Sequence, residues 1–529
     1  MHELSHTDHS SSPPRVHVPR DYNAAVDLIE RNLQAGRGQK LAYIDDAGSY
    51  TYEQLAQRVD RFVAGLQRLG VQMEQRVLLC LLDTIDFPVA FLGCIKAGII
   101  PIAVNTLLSR DDMAYVLNDS RACTVIVSES LLPTFSEPIA RSKFLRHRIV
   151  SGGSADGYHQ LSALLDTASA DNVSGAPTTC DDACFWLYSS GSTGAPKGTV
   201  HAHSSLIQTA ELYARARVGY REQDVVFCAS KLPFAYGLGN SLSFPLAVGA
   251  TAVLMAERPT PVSIIERLKR HRPTIFCTIP TAYAALLANA ELPNREELRL
   301  RLCTSAGEAL PSHVGERWSS HFGVPILDGI GSTEMLHIFI SNTPGEVRYG
   351  TTGKVVPGYE GRIVDENGVC VPLGEAGELL VRGPTRALHY WNNRARTATT
   401  FRGEWTHTGD KFRQTEDGCY IYEGRMDDML KVSGLYVSPV EVESALMKHD
   451  AVLEAAVVGN QDAQGLTKVC GFVVLKPGHD TSAQELQQHV KALLAPHKYP
   501  RSIQFMSELP KTVTGKIQRF KLRQTSAGG

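Results

Sequence analysis

Between residues 22 and 328, short runs of β-branched and aliphatic residues alternate with longer segments of helical periodicity, and this alternation constrains the fold more than any other feature. Runs at 77–82, 124–127, 185–188, 225–228, 274–277 and 300–304 read as strands, with helices at 87–97, 204–215, 261–271 and 311–321. A parallel neighbour is reached only through a long return connection, so the pattern predicts parallel strands with crossover helices. The character changes at 353–383, where Gly and Pro punctuate short alternating strands at 361–364 and 377–382, predicting a small antiparallel or barrel-like subdomain. Past 425–428, Ser438, Pro439 and Glu441 form a helix-start signal of N-cap, first-turn proline and acidic third position. Strand-like runs at 452–458 and 469–473 and a helix at 483–494 complete a small α+β unit. The expected class is thus α/β, divided into a flexible tail (1–21), a large N-terminal domain of layered αβ sheets with a small β-barrel subdomain (22–426) and a C-terminal α+β domain (427–529).

Composition narrows the function. Of 529 residues, 43% are apolar and 20% charged, too apolar for a disordered chain. Lys plus Arg number 53 against 55 acidic residues, a net charge of −2, and the only dense basic stretch is 516–523. Nucleic-acid binding by phosphate neutralisation is disfavoured. The apolar zone 77–104 is interrupted by Asp83, Asp86, Pro88 and Lys96, and 242–256 is shorter than the roughly 20 residues of a membrane span and contains Pro245. Residues 1–20, rich in His, Ser and Pro, read as a loose tail rather than a signal peptide. The eleven cysteines are scattered; Cys180 and Cys184 have no second pair to complete a zinc site, and a reducing cytoplasmic compartment is expected.

The strongest local signal is Tyr188-Ser189-Ser190-Gly191-Ser192-Thr193-Gly194-Ala195-Pro196-Lys197-Gly198, which follows a strand and leads through residues 201–203 into a helix. Closely spaced glycines let backbone N–H groups turn inward, and hydroxyls and one ammonium add donors, a sensible cradle for polyphosphate. It is not a Walker loop, because Pro196 stands where glycine is needed and Gly198 follows Lys197 where Ser or Thr is required.

This loop resembles the phosphate-binding motif of the adenylate-forming superfamily, which includes acyl- and aryl-CoA ligases, peptide-synthetase adenylation domains and firefly luciferase. Further similar motifs follow in the family's order: Ser305-Ala306-Gly307-Glu308-Ala309, Asp328-Gly329-Ile330-Gly331-Ser332-Thr333-Glu334, Thr408-Gly409-Asp410, the segment 422–434, and Pro510-Lys511-Thr512-Val513-Thr514-Gly515-Lys516. The resemblance spans residues 22–523 and implies a mobile C-terminal lid, with ATP, Mg2+ and coenzyme A as cofactor and co-substrates.

In the half-reaction R–COO⁻ + ATP → R–CO–AMP + PPi two anions must meet, so positive charge has to be placed between them. The resemblance implies Lys516 as the catalytic lysine bridging carboxylate and α-phosphate, Glu334 as the Mg2+ ligand, and Thr333 on the α-phosphate. It further implies Ser190, Gly191, Ser192, Thr193, Gly194 and Lys197 around the phosphates. Asp410 would accept both ribose hydroxyls, and Arg425 would contact ribose and phosphate. Gly307, Glu308, Ala309, Asp328, Gly329 and Ile330 would hold adenine, where Ile330 makes any stacking aliphatic. A plain surface ion pair is the alternative for Asp410 and Arg425, and a solvated tail lysine for Lys516. The second half-reaction, thiol attack, needs the face that Lys516 occupies. The family's answer is rotation of the small domain about a hinge that matches Asp427, bringing Lys431, Ser433 and Gly434 to the pantetheine route.

The acyl pocket implied by the resemblance comprises Ala235, Tyr236, Gly331, His337 and Ile338. A glycine floor between such walls suits a small flat ring, with His337 able to orient a carboxylate unless it is merely a satisfied core histidine. Residues 186–188, 234–240, 331–339 and 516–523 are most similar to benzoate–CoA ligases. The expected activity is ATP-dependent joining of benzoate, or a closely related small aromatic carboxylate, to CoA through an acyl-adenylate, by a monomer or homodimer without nucleic-acid or membrane partners. The rivals are an enzyme that loads a carrier protein and a non-catalytic nucleotide sensor.

Overall fold

The computed structural model describes residues 3–167, 173–191, 194–432, 435–461, 467–495, 497–511 and 517–526. Two large sheets dominate. One has eight strands in the order His389–Tyr390, Gly194–Ala202, Ala183–Gly191, Ile100–Ala103, Arg76–Cys80, Thr124–Ser128, His147–Ser151, His159–Gln160. The other has nine: Lys354–Val355, Ile338–Ser341, Ile326–Gly331, Leu302–Ser305, Ile275–Thr278, Val225–Cys228, Thr251–Val253, Leu41–Ile44, Ser49–Thr51. The inner strands are parallel, as the alternation required.

Crossover helices obey local rules. Pro261–His271 has Pro at its first position and a capping box in which the Thr260 hydroxyl accepts from the Ser263 N–H at 3.1 Å. Tyr52–Arg68 buries Leu55, Val59, Phe62 and Leu66 on one stripe, whereas Asp86–Lys96 is buried all round, as befits a helix inside the largest apolar core. The helix expected over 204–215 is α-helical only for Ser204–Thr209 and continues as a π-helix over Ala210–Val218.

A five-stranded antiparallel sheet follows, with Glu360–Val364, Ala376–Arg382, Trp405–Gln414 and Phe401–Arg402 in that order and Tyr420–Arg425 paired to Trp405–Gln414. The C-terminal part carries the sheet Val452–Gln461, Thr467–Leu475, Ser502–Phe505. Its two apolar cores, around Val442, Leu446 and Val473 and around Phe472, Leu509 and Leu522, draw on residues from 430 onward alone. Mixed α/β architecture with a separate C-terminal domain is therefore what the chain adopts. Ser438 caps Pro439–Met447 by accepting from the Glu441 N–H at 3.2 Å.

One expectation needs correction. The N-terminal stretch read as a loose tail forms a hairpin, His6–Asp8 with Arg15–His17. Its neighbour Ser5 is buried and donates to Asp27 at 2.6 Å, and His9 lies 3.2 Å from the buried Glu211; polar anchors hold it where hydropathy gave no signal. The glycine-rich loop leads through residues 201–203 into the helix Ser204–Thr209 as expected, but by way of a strand not anticipated from the sequence, Gly194–Ala202, antiparallel to Ala183–Gly191. All eleven cysteines are free thiols; nine are buried, Cys180 is half-buried and Cys370 exposed. Among the described residues no helix is long and apolar enough to cross a membrane.

Candidate active site

Four of the segments singled out in the sequence gather at one edge because they extend from, or end, strands of the two large sheets. Gly307–Ala309 follows Leu302–Ser305, and Asp328–Glu334 ends the adjacent strand, with Ser305 paired to Asp328. Ala235 and Tyr236 follow Val225–Cys228. The ends of parallel strands leave a crevice for ligands. The eight-stranded sheet joins them through the hairpin Ala183–Gly191/Gly194–Ala202, at whose tip the phosphate loop turns.

The join is polar and buried. Lys197 Nζ lies 3.2 Å from Glu334 Oε1, and both side chains are only about one-sixth exposed. The Tyr390 hydroxyl donates to the same Oε1 at 2.6 Å and accepts from Lys197 Nζ at 3.0 Å. Burial pushes the Glu334 carboxyl up, but the Lys197 ammonium and the Tyr390 hydroxyl outweigh it and hold it below the usual range. Glu334 therefore stands ionised. His201 donates from Nε2 to the Thr333 carbonyl at 2.8 Å, and burial lowers its pKa to about 4. Its neutral ring ties the phosphate hairpin to the Thr333–Glu334 turn. Tyr390 and His201 were missed by sequence reasoning; Tyr390 sits in a two-residue strand without periodicity.

In the Gly307–Ala309 segment, Gly307 has φ +94°, a conformation suited to glycine. The Thr281 hydroxyl donates to Glu308 at 2.6 Å. Asp328 is 3% exposed; burial drives its carboxyl well above the carboxylate range, and Oδ1 has no hydrogen-bond partner among the described residues. Asp410 and Arg425 face each other across adjacent strands and pair at 3.2 Å, with Arg425 also donating to the Thr408 carbonyl at 3.1 Å.

The acyl segments touch. His337 Nε2 meets the Tyr236 carbonyl at 3.3 Å, their rings stack at 5.5 Å, and Phe244 packs edge-on at 4.5 Å. A Cβ on Gly239 would lie 2.4 Å from the His337 ring, and one on Gly331 would lie 2.5 Å from the His337 carbonyl oxygen. Ile338 is buried beside them, while Ala235, Tyr236 and residues 330–334 are half-buried. Between His337 and Glu334, Leu336 has φ +67° with the His337 N–H donating to the Met335 carbonyl at 2.9 Å, a tight γ-type turn. His337 Nε2 donates to the Tyr236 carbonyl, which leaves Nδ1 without a proton, and burial lowers the pKa to about 3. It is a neutral ring wall.

Ser192, Thr193, Ser433, Gly434 and Lys516 lie outside the described residues, and for Ser190, Asp427 and Lys431 only the backbone is described. Ser189 pairs with Lys197 and Gly191 with Gly194 in the hairpin register. No cluster of three or more His, Cys, Asp or Glu suited to a metal occurs among the described residues. A lone ionised carboxylate, Glu334, fits a hard cation such as Mg2+ that takes its other oxygens from phosphates and water.

A half-buried acidic–basic pair, a buried carboxyl and a cluster of uncharged rings are thus brought together among segments that resemble the motifs of adenylate-forming enzymes. The chain belongs to the AMP-binding enzyme family, whose main domain matches residues 29–391 and whose C-terminal domain matches residues 441–516. It is 61% identical over 528 residues to the benzoate–CoA ligase of Thauera aromatica, covering 99% of this chain and 100% of that protein. It is 49% identical to the 4-hydroxybenzoate–CoA/benzoate–CoA ligase of Rhodopseudomonas palustris, covering 96% and 95%. The crystal structure of a benzoate CoA ligase from Burkholderia xenovorans LB400 superposes with TM-score 0.89 at 53% identity, covering 95% of this chain and 100% of that one.

Proposed function

We propose that this chain is an ATP-dependent benzoate–CoA ligase that forms benzoyl-AMP and pyrophosphate, then passes the benzoyl group to the thiol of CoA with release of AMP. The observation that carries this reading is the meeting, at one edge, of the ionised Glu334–Lys197 pair with uncharged ring walls. Chemistry on a metal nucleotide is thereby set beside a seat for a flat apolar acid.

In this reading Lys197 and the backbone of residues 190–194 grip the phosphates, Thr333 contacts the α-phosphate, and Glu334 holds the Mg2+ that shields the leaving pyrophosphate. Asp328, Gly329, Ile330 and Gly307–Ala309 bind adenine; the unpartnered buried Asp328 Oδ1 supports this, being a polar atom open to a nucleobase partner. Asp410 takes the ribose hydroxyls, and Arg425, which is paired to Asp410, would contact ribose and phosphate. Ala235, Tyr236, Gly331, His337 and Ile338 surround the ring. With His337 neutral and acceptor-only at Nδ1, the substrate carboxylate must be met by Lys516. Residues 22–426 then form the nucleotide and acid domain, and 427–529 the lid, turning at Asp427 so that Lys431, Ser433 and Gly434 line the thiol route. Free cysteines throughout support a reducing, cytoplasmic setting.

Pyrophosphate release with benzoate and ATP, measured with and without CoA and followed by detection of benzoyl-CoA, tests the reading. Pyrophosphate without CoA turnover would indicate a carrier-protein acceptor; nucleotide binding without pyrophosphate would indicate a sensor. Lys516→Ala is expected to abolish adenylation yet leave thioester formation from supplied benzoyl-AMP largely intact, and equal loss in both steps would make that lysine structural.

A further inference from the structure

Tyr390 is fully enclosed at the site and has no part in the scheme above. Its relative exposure is 2%, its ring packs on Phe401 at 5.3 Å, and its backbone N–H donates to the Thr397 hydroxyl at 3.1 Å. The short strand His389–Tyr390 is bonded to the hairpin strand that carries Lys197, with Thr199 opposite Tyr390. The residue is thus fixed by packing, by its backbone and by the sheet.

Its hydroxyl does two things at once. The proton goes to Glu334 Oε1 at 2.6 Å, and the oxygen accepts from Lys197 Nζ at 3.0 Å. The ammonium also sits 4.5 Å from the centre of the phenol ring. Burial and the Glu334 charge push the phenol well above its ordinary pKa, so it keeps its proton. Tyr390 and Lys197 both meet Oε1 of Glu334, leaving Oε2 outside both contacts.

When a polyphosphate arrives, the Lys197 ammonium is drawn to its oxygens and Glu334 loses a donor. A buried carboxylate released on one side would swing after its cation unless something else held it. We propose that Tyr390 is a positioning residue for adenylation: its hydroxyl anchors Oε1 of Glu334 while Lys197 changes partners, keeping Oε2 available to the Mg2+–nucleotide. This rests on the assignment of Glu334 and Lys197 to the nucleotide phosphates. It predicts that removing one oxygen atom affects the metal requirement of the first half-reaction and spares the second.

The test is Tyr390→Phe, which keeps the ring on Phe401 and whose folding is checked by its melting temperature. The Mg2+ concentration for half-maximal pyrophosphate release is expected to rise at least fivefold, while thioester formation from supplied benzoyl-AMP stays within twofold of wild type. A readout independent of turnover is calorimetric ATP affinity in Mg2+ divided by that in EDTA, expected to fall about fivefold. Thr397→Val, which withdraws the backbone anchor but leaves the phenol, should shift both in the same direction by less, and stands in if Tyr390→Phe does not fold. Trp391→Phe is the control, since Trp391, next to Tyr390 in sequence, packs its ring at a tilt on Trp186 with centroids 4.4 Å apart; it should match wild type in Mg2+ dependence. Wild-type Mg2+ dependence and affinity ratio in Tyr390→Phe, or equal loss in both half-reactions, would overturn the proposal. Wild-type enzyme that released no pyrophosphate with benzoate would instead overturn the ligase reading itself.

Discussion

At the scale of single residues, the site holds two histidines that burial keeps uncharged, His201 at about 4 and His337 at about 3. Unfolded, each titrates near 6.5. Between these values the unfolded chain binds more protons, so stability rises with pH and is lost as pH falls below about 6.5. Asp83 opposes this, because burial raises it to about 6 and the folded state then binds the extra proton between its unfolded value and 6. Asp328, whose carboxyl burial also drives well above its ordinary range, opposes it as well, so the prediction is a difference: relative to wild type, His201→Gln should gain melting temperature on going from pH 7 to pH 5. Glu334→Gln keeps the shape but removes the charge opposite Lys197; adenylation should drop about 10²-fold, with thioester formation from benzoyl-AMP much less affected. Leu336→Gly sets two terms against each other. Relief of the positive φ returns roughly 1–2 kcal/mol, but emptying the space of a leucine that is 2% exposed costs about 2–5 kcal/mol. Burial wins, and chemical denaturation should show a loss of about 1–3 kcal/mol. Lys197, Glu334, Asp328 and Asp410 could be singled out in the sequence because they sit in local motifs. Tyr390 was not, since its partners lie 56 and 193 positions away. Nor was the proton position on His337, which only the Tyr236 carbonyl decides.

At the scale of elements, regular periodicity was readable and irregular backbone was not. Val225–Cys228 and Pro261–His271 lie where pattern placed them. The strand Gly194–Ala202 was hidden because Gly194, Pro196 and Gly198 look like turn residues, although partners on both sides hold it in the sheet. The π-turns at Ala210–Val218 and Gly239–Ser243 were equally invisible, since an extra residue per turn leaves the apolar spacing almost unchanged. The C-terminal helix Arg519–Ser526 offers a test of what ties it down. Arg519 bonds both oxygens of Glu443 at 2.8 Å, while Asp428 lies 3.9 Å from Arg519 and contacts Arg523. Glu443 is 5% exposed, so Arg519→Ala strands a buried charge and should cost about 3–5 kcal/mol. Asp428→Ala removes a more solvated partner and should cost about 1 kcal/mol or less. Denaturant titration of both variants checks the ranking.

At the scale of the whole molecule, two sheets joined through Lys197–Glu334 carry the site, and the C-terminal part keeps cores of its own. Such separation predicts two calorimetric transitions, with Arg519→Ala lowering only the one that belongs to the C-terminal part; a single shifted transition would show that the parts melt together. The architecture was legible from alternation and from the composition change after residue 353, whereas the N-terminal hairpin, pinned by Ser5 to Asp27, depends on polar contacts that no hydropathy pattern encodes. The distribution of sulfur has a practical outcome. Cys370 alone among the eleven thiols is exposed, and half-buried Cys180 has its thiol pushed up by burial and the adjacent Asp181, so a maleimide fluorophore at neutral pH has one favoured seat on the antiparallel sheet. With a second dye on a cysteine engineered into the C-terminal sheet, a change in energy transfer as acid, nucleotide and thiol are added in turn would support the proposed rotation, and constant transfer would count against it.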